Sequence, residues 1–96
     1  MGIGDPPYFI AKNRIDLSDK ALIDRILDAM KEHFKDEKVN TVDGVKIDFE
    51  ARKQWVHLRK SNTEPIIRIY SEAQTEEEAQ RLGEEVIALA QRIIGA

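Results

Sequence analysis

Two runs with strand character, Trp55 to Lys60 and Ile66 to Ala73, are separated only by Ser61-Asn62-Thr63-Glu64-Pro65. Runs this close, bounded by turn-forming residues, read as an antiparallel hairpin with a polar tip. Arg59 stands just before the tip and Arg68 just after it. Two guanidinium forks can therefore converge on a loop that carries two hydroxyls, one carboxamide and several backbone N–H groups. Such donors suit a phosphate, because planar five-donor forks match its oxygens bidentately while hydroxyls and turn amides fill the remaining lone pairs. Each charge-assisted bond contributes about 1.5–3 kcal/mol, so a dianion can be held here without a metal. The plainer alternative is a solvated edge, since Asn, Ser and Pro are ordinary turn residues and arginine is common on hairpin arms.

The period of two sets the phase of these strands. Val56 and Leu58 face the core, which leaves Trp55, His57 and Arg59 on the opposite face, so the Arg59 charge need not be desolvated. His57 shares that face and can approach a bound sugar phosphate, although a lone histidine reads more readily as a surface or packing residue than as a catalyst. After the tip, Ile67, Ile69 and Ser71 alternate with Arg68, Tyr70 and Glu72.

The remaining elements follow from the same patterns. Residues 1–7 are rich in Gly and Pro and read as a linker or boundary, with one domain over residues 8–96. Tyr8 to Leu17 shows the alternation of a strand, with Lys12 and Arg14 on its solvated face. Ser18 or Asp16 can cap a helix from Asp19 to about Phe34, whose stripe is Leu22, Ile23, Ile26, Leu27, Met30 and Phe34. Lys35 to Asn40 is a polar connection, and Thr41 to Glu50 reads as a strand with Asp43-Gly44 as a turn or bulge at its start. Thr75 to Glu78 is a capping box that opens a second helix with Leu82, Val86, Leu89, Ala90, Ile93 and Ile94 inward and Gly95 at its stop. The order strand, helix, three strands, helix predicts an α+β fold, an antiparallel four-stranded sheet with two helices packed on one face.

Composition narrows the partners. Ninety-six residues, 42% hydrophobic and 34% charged, suit one globular domain with a modest core. A net charge of −3 argues against nucleic acid, whose backbone demands a clustered excess of Lys and Arg. Positive charge is instead local, with Arg59, Lys60 and Arg68 opposed within that stretch only by Glu64. No apolar run approaches the roughly 18 residues that span a bilayer, so the expectation is a cytoplasmic domain with no membrane partner. The absence of cysteine excludes disulfides and thiolate metal sites.

The string Arg59-Lys60-Ser61-Asn62-Thr63-Glu64-Pro65, followed by Arg68 and Glu72-Ala73, resembles the phosphate-binding loop of the α-D-phosphohexomutases. Val42-Asp43-Gly44-Val45-Lys46-Ile47 and Trp55-Val56-His57 are similar to other parts of the fourth, C-terminal domain of those enzymes. The resemblance implies the TATA-box-binding-protein-like fold of that domain. It also implies that Arg59, Ser61, Asn62, Thr63 and Arg68 contact the phosphate that is not being transferred, while Glu64 and Pro65 shape the turn. Asn62 stands where many members have Gly, and both tolerate a left-handed backbone. The implied partners are hexose 1- and 6-phosphates and the other three domains. The donor serine, the Mg²⁺ segment and the loop that reads sugar hydroxyls have no counterpart in this sequence, so they are expected elsewhere. This domain is expected to bind no cofactor and to be inactive alone. Ser61-Asn62-Thr63 and Arg68-Ile69-Tyr70-Ser71 look more like phosphomannomutase/phosphoglucomutase than phosphoglucosamine mutase, which remains the alternative beside a free-standing phosphosugar-binding module.

Overall fold

Alternation of apolar residues in successive runs dictates a sheet with one water-avoiding face. The computed structural model, which describes residues 9–95, builds that sheet. Its elements in order are β1 (Phe9–Asp16), α1 (Ala21–His33), β2 (Lys38–Asn40), β3 (Val45–Phe49), β4 (Gln54–Lys60), β5 (Ile66–Ala73) and α2 (Glu76–Gly95), with a 3-10 turn at Glu50–Arg52 between β3 and β4. The strands lie in the order β1-β5-β4-β3-β2, every neighbouring pair antiparallel. The expected linker at residues 1–7 falls outside the described residues.

Both helices cover the same face. α2 lies across β1 and β5, and α1 packs against β3 and α2. Val45, Ile47 and Phe49 of β3, Val56 and Leu58 of β4, and Ile67 and Ile69 of β5 meet Ile23, Ile26, Leu27 and Met30 of α1 and Leu82, Val86 and Ala90 of α2 in one buried cluster. Burial of this kind contributes about 1.5–3 kcal/mol for each large side chain. One polar group joins the interior. Ser71 is fully buried and its hydroxyl donates to the Ala79 carbonyl at 2.7 Å, tying β5 to the first turn of α2. Gly83 makes the close approach possible, because a Cβ there would lie 2.7 Å from Asn13 Nδ2 and 3.2 Å from Ser71 Oγ.

Several boundaries differ from the sequence expectation, each for a physical reason. The sheet has five strands rather than four. Lys38-Val39-Asn40 holds a single apolar residue and shows no alternation, but it pairs with β3, Val39 opposite Ile47, and Val39 becomes half-buried. β3 starts at Val45 instead of Thr41, because the Asn40 side chain accepts the Val42 N–H at 2.9 Å and Gly44 adopts φ 78°, closing a turn. Among the described residues neither Ser18 nor Asp16 caps α1. Lys20 stands at the N-cap with no side-chain cap bond, and the Asp19 carboxylate just before it accepts the Ala21 N–H at 2.9 Å. At α2 the Thr75 hydroxyl accepts the Glu78 N–H at 3.1 Å, but no bond returns from the Glu78 carboxylate among the described residues.

Leu58→Ala is expected to cost about 2–5 kcal/mol, since it leaves a cavity at a fully buried position. Ser71→Ala should cost nearer 1 kcal/mol, the net value of one hydrogen bond. Urea denaturation of the two variants checks the order, and a reversal would show that the core is held by polar rather than apolar contacts.

Candidate functional site

The helix-free face of the sheet carries the other half of each alternation. In β4, Trp55, His57 and Arg59 project there, and in β5 Arg68, Tyr70 and Glu72, as the burial of the intervening residues requires. The β4–β5 register sets Arg59 directly opposite Arg68 and His57 opposite Tyr70. Cβ atoms of facing residues in such a pair are about 4.5–5.5 Å apart, and like charges in that position repel. The pair therefore concentrates positive charge at this end of the open face.

Register adds a residue that the sequence left among solvated positions. Arg14 of β1 stands opposite Arg68 on its other side, so Arg14, Arg68 and Arg59 form one row across three strands. Only the strand order could reveal this, because β1 and β5 are separated by about half of the chain. The outer two arginines each have a carboxylate. Arg14 Nε lies 3.7 Å from Asp16 Oδ1, and Arg59 lies 3.2 Å from Asp43 Oδ2. Both pairs are largely solvent-exposed, and such pairs are worth about 1 kcal/mol or less. Arg68 has no ion-pair partner among the described residues.

Asp43 reaches Arg59 because its turn is fastened to β4. Gly44 packs so tightly that a Cβ would lie 2.2 Å from the Leu58 carbonyl oxygen, and its φ of 78° is strained for any other residue. His57 Nε2 donates to the Asp43 carbonyl. That bond gives His57 an anchoring role at the turn, in line with the reading of a lone histidine as a packing residue. The local charge balance also changes. Glu64 is not the only counter-charge near the tip, since Asp43 serves Arg59 and Asp24 of α1 lies 3.9 Å from Lys60. Lys60 leaves by the helix-covered side, so it is not part of the arginine row.

The tip itself is organised by Ser61. Its Oγ accepts the N–H groups of Thr63 and Glu64, each at 3.3 Å, and lies 3.5 Å from Thr63 Oγ1. With both lone pairs used, the Ser61 proton is left to donate, to Thr63 or to a ligand. The Ser61 N–H closes the hairpin on the Ile66 carbonyl at 3.2 Å, and the Ile66 N–H bonds Glu64 O at 2.8 Å. Fewer amides face outward than the sequence suggests. Among Ser61 to Glu64, only Asn62 has an N–H with no partner among the described residues. The donors around the tip are thus the Asn62 amide and carboxamide, the Ser61 and Thr63 hydroxyls, and the two guanidinium groups of Arg59 and Arg68.

The opposite end of the open face is different in kind. Glu72 is 3% exposed, its Oε2 accepts the Trp55 indole N–H at 2.9 Å, and its Oε1 has no partner among the described residues. A carboxylate four residues from Arg68 along β5 is roughly 13 Å away at the rise of a strand, too far to neutralise the row. No group of three or more metal-ligating side chains occurs among the described residues.

Fold and geometry define a two-layer α+β domain with an arginine-rich, hydroxyl-bearing hairpin at one end of its open sheet face. Residues 14–89 match the family described as phosphoglucomutase/phosphomannomutase, C-terminal domain. A probable phosphoglucosamine mutase of Pyrococcus horikoshii is 35% identical over 92 residues, covering 93% of this chain and 20% of that protein. A phosphoglucomutase/phosphomannomutase of Thermococcus kodakarensis is 40% identical over 77 residues, covering 78% of this chain and 16% of that protein. The chain belongs to the phosphoglucomutase/phosphomannomutase C-terminal domain family. It spans about a fifth of the length of the curated relatives it matches.

Gly44→Ala should destabilise the domain by about 3 kcal/mol through a forced left-handed conformation and overpacking on β4. Urea denaturation followed by the fluorescence of Trp55 measures it. A near-neutral result would mean that the Asp43 turn is not fastened to β4 as described.

Proposed function

We propose that this chain is the phosphate-binding domain of a phosphohexomutase and holds the phosphate of a hexose phosphate that is not being transferred. The observation that carries the proposal is the facing pair Arg59 and Arg68 beside a tip whose free donors are hydroxyls, an amide and a carboxamide. Arg59 and Arg68 supply charge and bidentate geometry, Ser61 and Thr63 donate hydroxyl hydrogen bonds, and Asn62 offers its N–H and side chain. Asp43 keeps Arg59 in place while the site is empty, and an incoming dianion competes readily with so exposed a partner. In this reading the chain binds and orients, which converts a bimolecular encounter into a positioned one. The donor serine, the magnesium site and the groups that move protons lie outside it, and the domain alone is inactive.

Membership of the phosphomannomutase/phosphoglucomutase branch is our first assignment, from the character of the tip and of β5. A second reading, phosphoglucosamine mutase, is favoured by the names of relatives such as the probable phosphoglucosamine mutase of Pyrococcus horikoshii and the phosphoglucosamine/phosphogalactosamine mutase of Sulfurisphaera tokodaii. Both readings assign the same work to the hairpin.

The isolated chain should bind glucose 1-phosphate or glucose 6-phosphate with a dissociation constant on the order of millimolar, because most contacts to the sugar are missing. An NMR titration should move the amides of Ser61 to Thr63 to saturation. Arg59→Ala should abolish the response and Lys12→Ala should leave it unchanged. Equal behaviour of the two variants would sink the assignment.

A further inference from the structure

We propose that Arg14 is a third arginine of the phosphate site, one that the hairpin motif does not contain and that β1 delivers. The inference rests on the phosphate reading of Arg59 and Arg68 and extends it to a different element of the fold.

Position is the first argument. Arg14 and Arg59 flank Arg68 in one row, each one strand away, and facing residues in antiparallel strands project to the same side. Adjacent strands are about 4.8 Å apart, within the reach of an arginine side chain from either neighbour to a ligand held above Arg68. Direction is the second. Arg14 leans along β1 toward Asp16, and Asp16 pairs with Ile66, the first residue of β5 after the tip. The Leu17 N–H then bonds the Pro65 carbonyl at 2.8 Å, so the end of β1 is fastened to the tip. The guanidinium of Arg14 is thus drawn toward the same end of the sheet as the loop donors, not away from them.

Charge is the third. Two adjacent like-charged contacts across three strands are unfavourable unless something offsets them. Asp16 and Asp43 offset the outer two arginines, while the central Arg68 is left without a carboxylate. Two exposed carboxylates against three guanidinium groups leave the row one positive charge in excess, centred where the anion is placed. Arg14 is exposed, so it can leave Asp16 for a phosphate oxygen at little cost. Lys12, on the same strand and face, lies opposite Tyr70, one step farther from the tip. It is the natural control, since its removal changes net charge by the same amount.

The test uses the 96-residue chain, isotope-labelled, titrated with glucose 1-phosphate at fixed ionic strength. Arg14→Ala and Arg14→Gln should each weaken binding about tenfold, the loss of one charge-assisted hydrogen bond. Arg14→Lys should recover part of it, and Lys12→Ala should not change it beyond about twofold. In the unmodified chain the Arg14 Nε–H resonance should shift with the same saturation curve as the Asn62 amide. If Arg14→Ala and Arg14→Gln bind as tightly as Lys12→Ala and the Arg14 resonance stays still, Arg14 is only a surface residue, while loss of binding in Arg59→Ala would leave the two-arginine reading intact. If Arg59→Ala and Arg68→Ala bind as the unmodified chain does, the phosphate reading itself fails, and this proposal with it.

Discussion

The register between β4 and β5 is the constraint on which the rest of the site depends. It is fixed by burial: a slip of one residue would turn Val56, Leu58, Ile67 and Ile69 to water and bring charged side chains into the core. Because that exchange is so unfavourable, Arg59 and Arg68 are held opposite one another against their mutual repulsion. The core therefore does electrostatic work at a distance. Apolar contacts on one face of the sheet keep two like charges together on the other.

Around this pair the structure uses short, local devices. Ser61 gathers two amides of the tip and keeps its own proton for donation. Gly44 lets the preceding turn lie against the β4 backbone, where Asp43 meets both Arg59 and His57. On the helix side, Gly83 and the buried Ser71 bring α2 close to β1 and β5, which steadies two of the three strands that carry arginines. The far end of the open face is different, with Glu72 under its bond to Trp55 and Lys46 over the Trp55 ring, so the row of three arginines belongs to the end near the tip.

Much of this was legible before the fold was known. The hairpin, the two helices, the inward residues of β4 and β5, and the exposure of Arg59 follow from periodicity and turn chemistry. Family resemblance supplied the expectation that the tip contacts phosphate. What stayed hidden was long-range. β2 has one apolar residue, too few to mark a strand, and the Asp19 bond to the Ala21 N–H could not be told from a cap by Asp16 or Ser18, which are equally good capping types. Among the loop amides, those of Thr63 and Glu64 looked free but are occupied by Ser61, a choice that depends on the three-dimensional path of the tip.

The sequence by itself determined which residues face inward and where the chain turns, because those properties depend on spacing within a few residues. Tertiary structure alone decided which strands from distant segments are neighbours. Period two says to which side Arg14 points but not what lies beside it, and the place of β1 next to β5 puts it in line with Arg68. In the same way Asp43 and Asp24 come from distant segments to Arg59 and Lys60. Charges separated along the chain acquire partners only when burial of the apolar face selects one strand order, and that selection is a property of the whole core rather than of any segment.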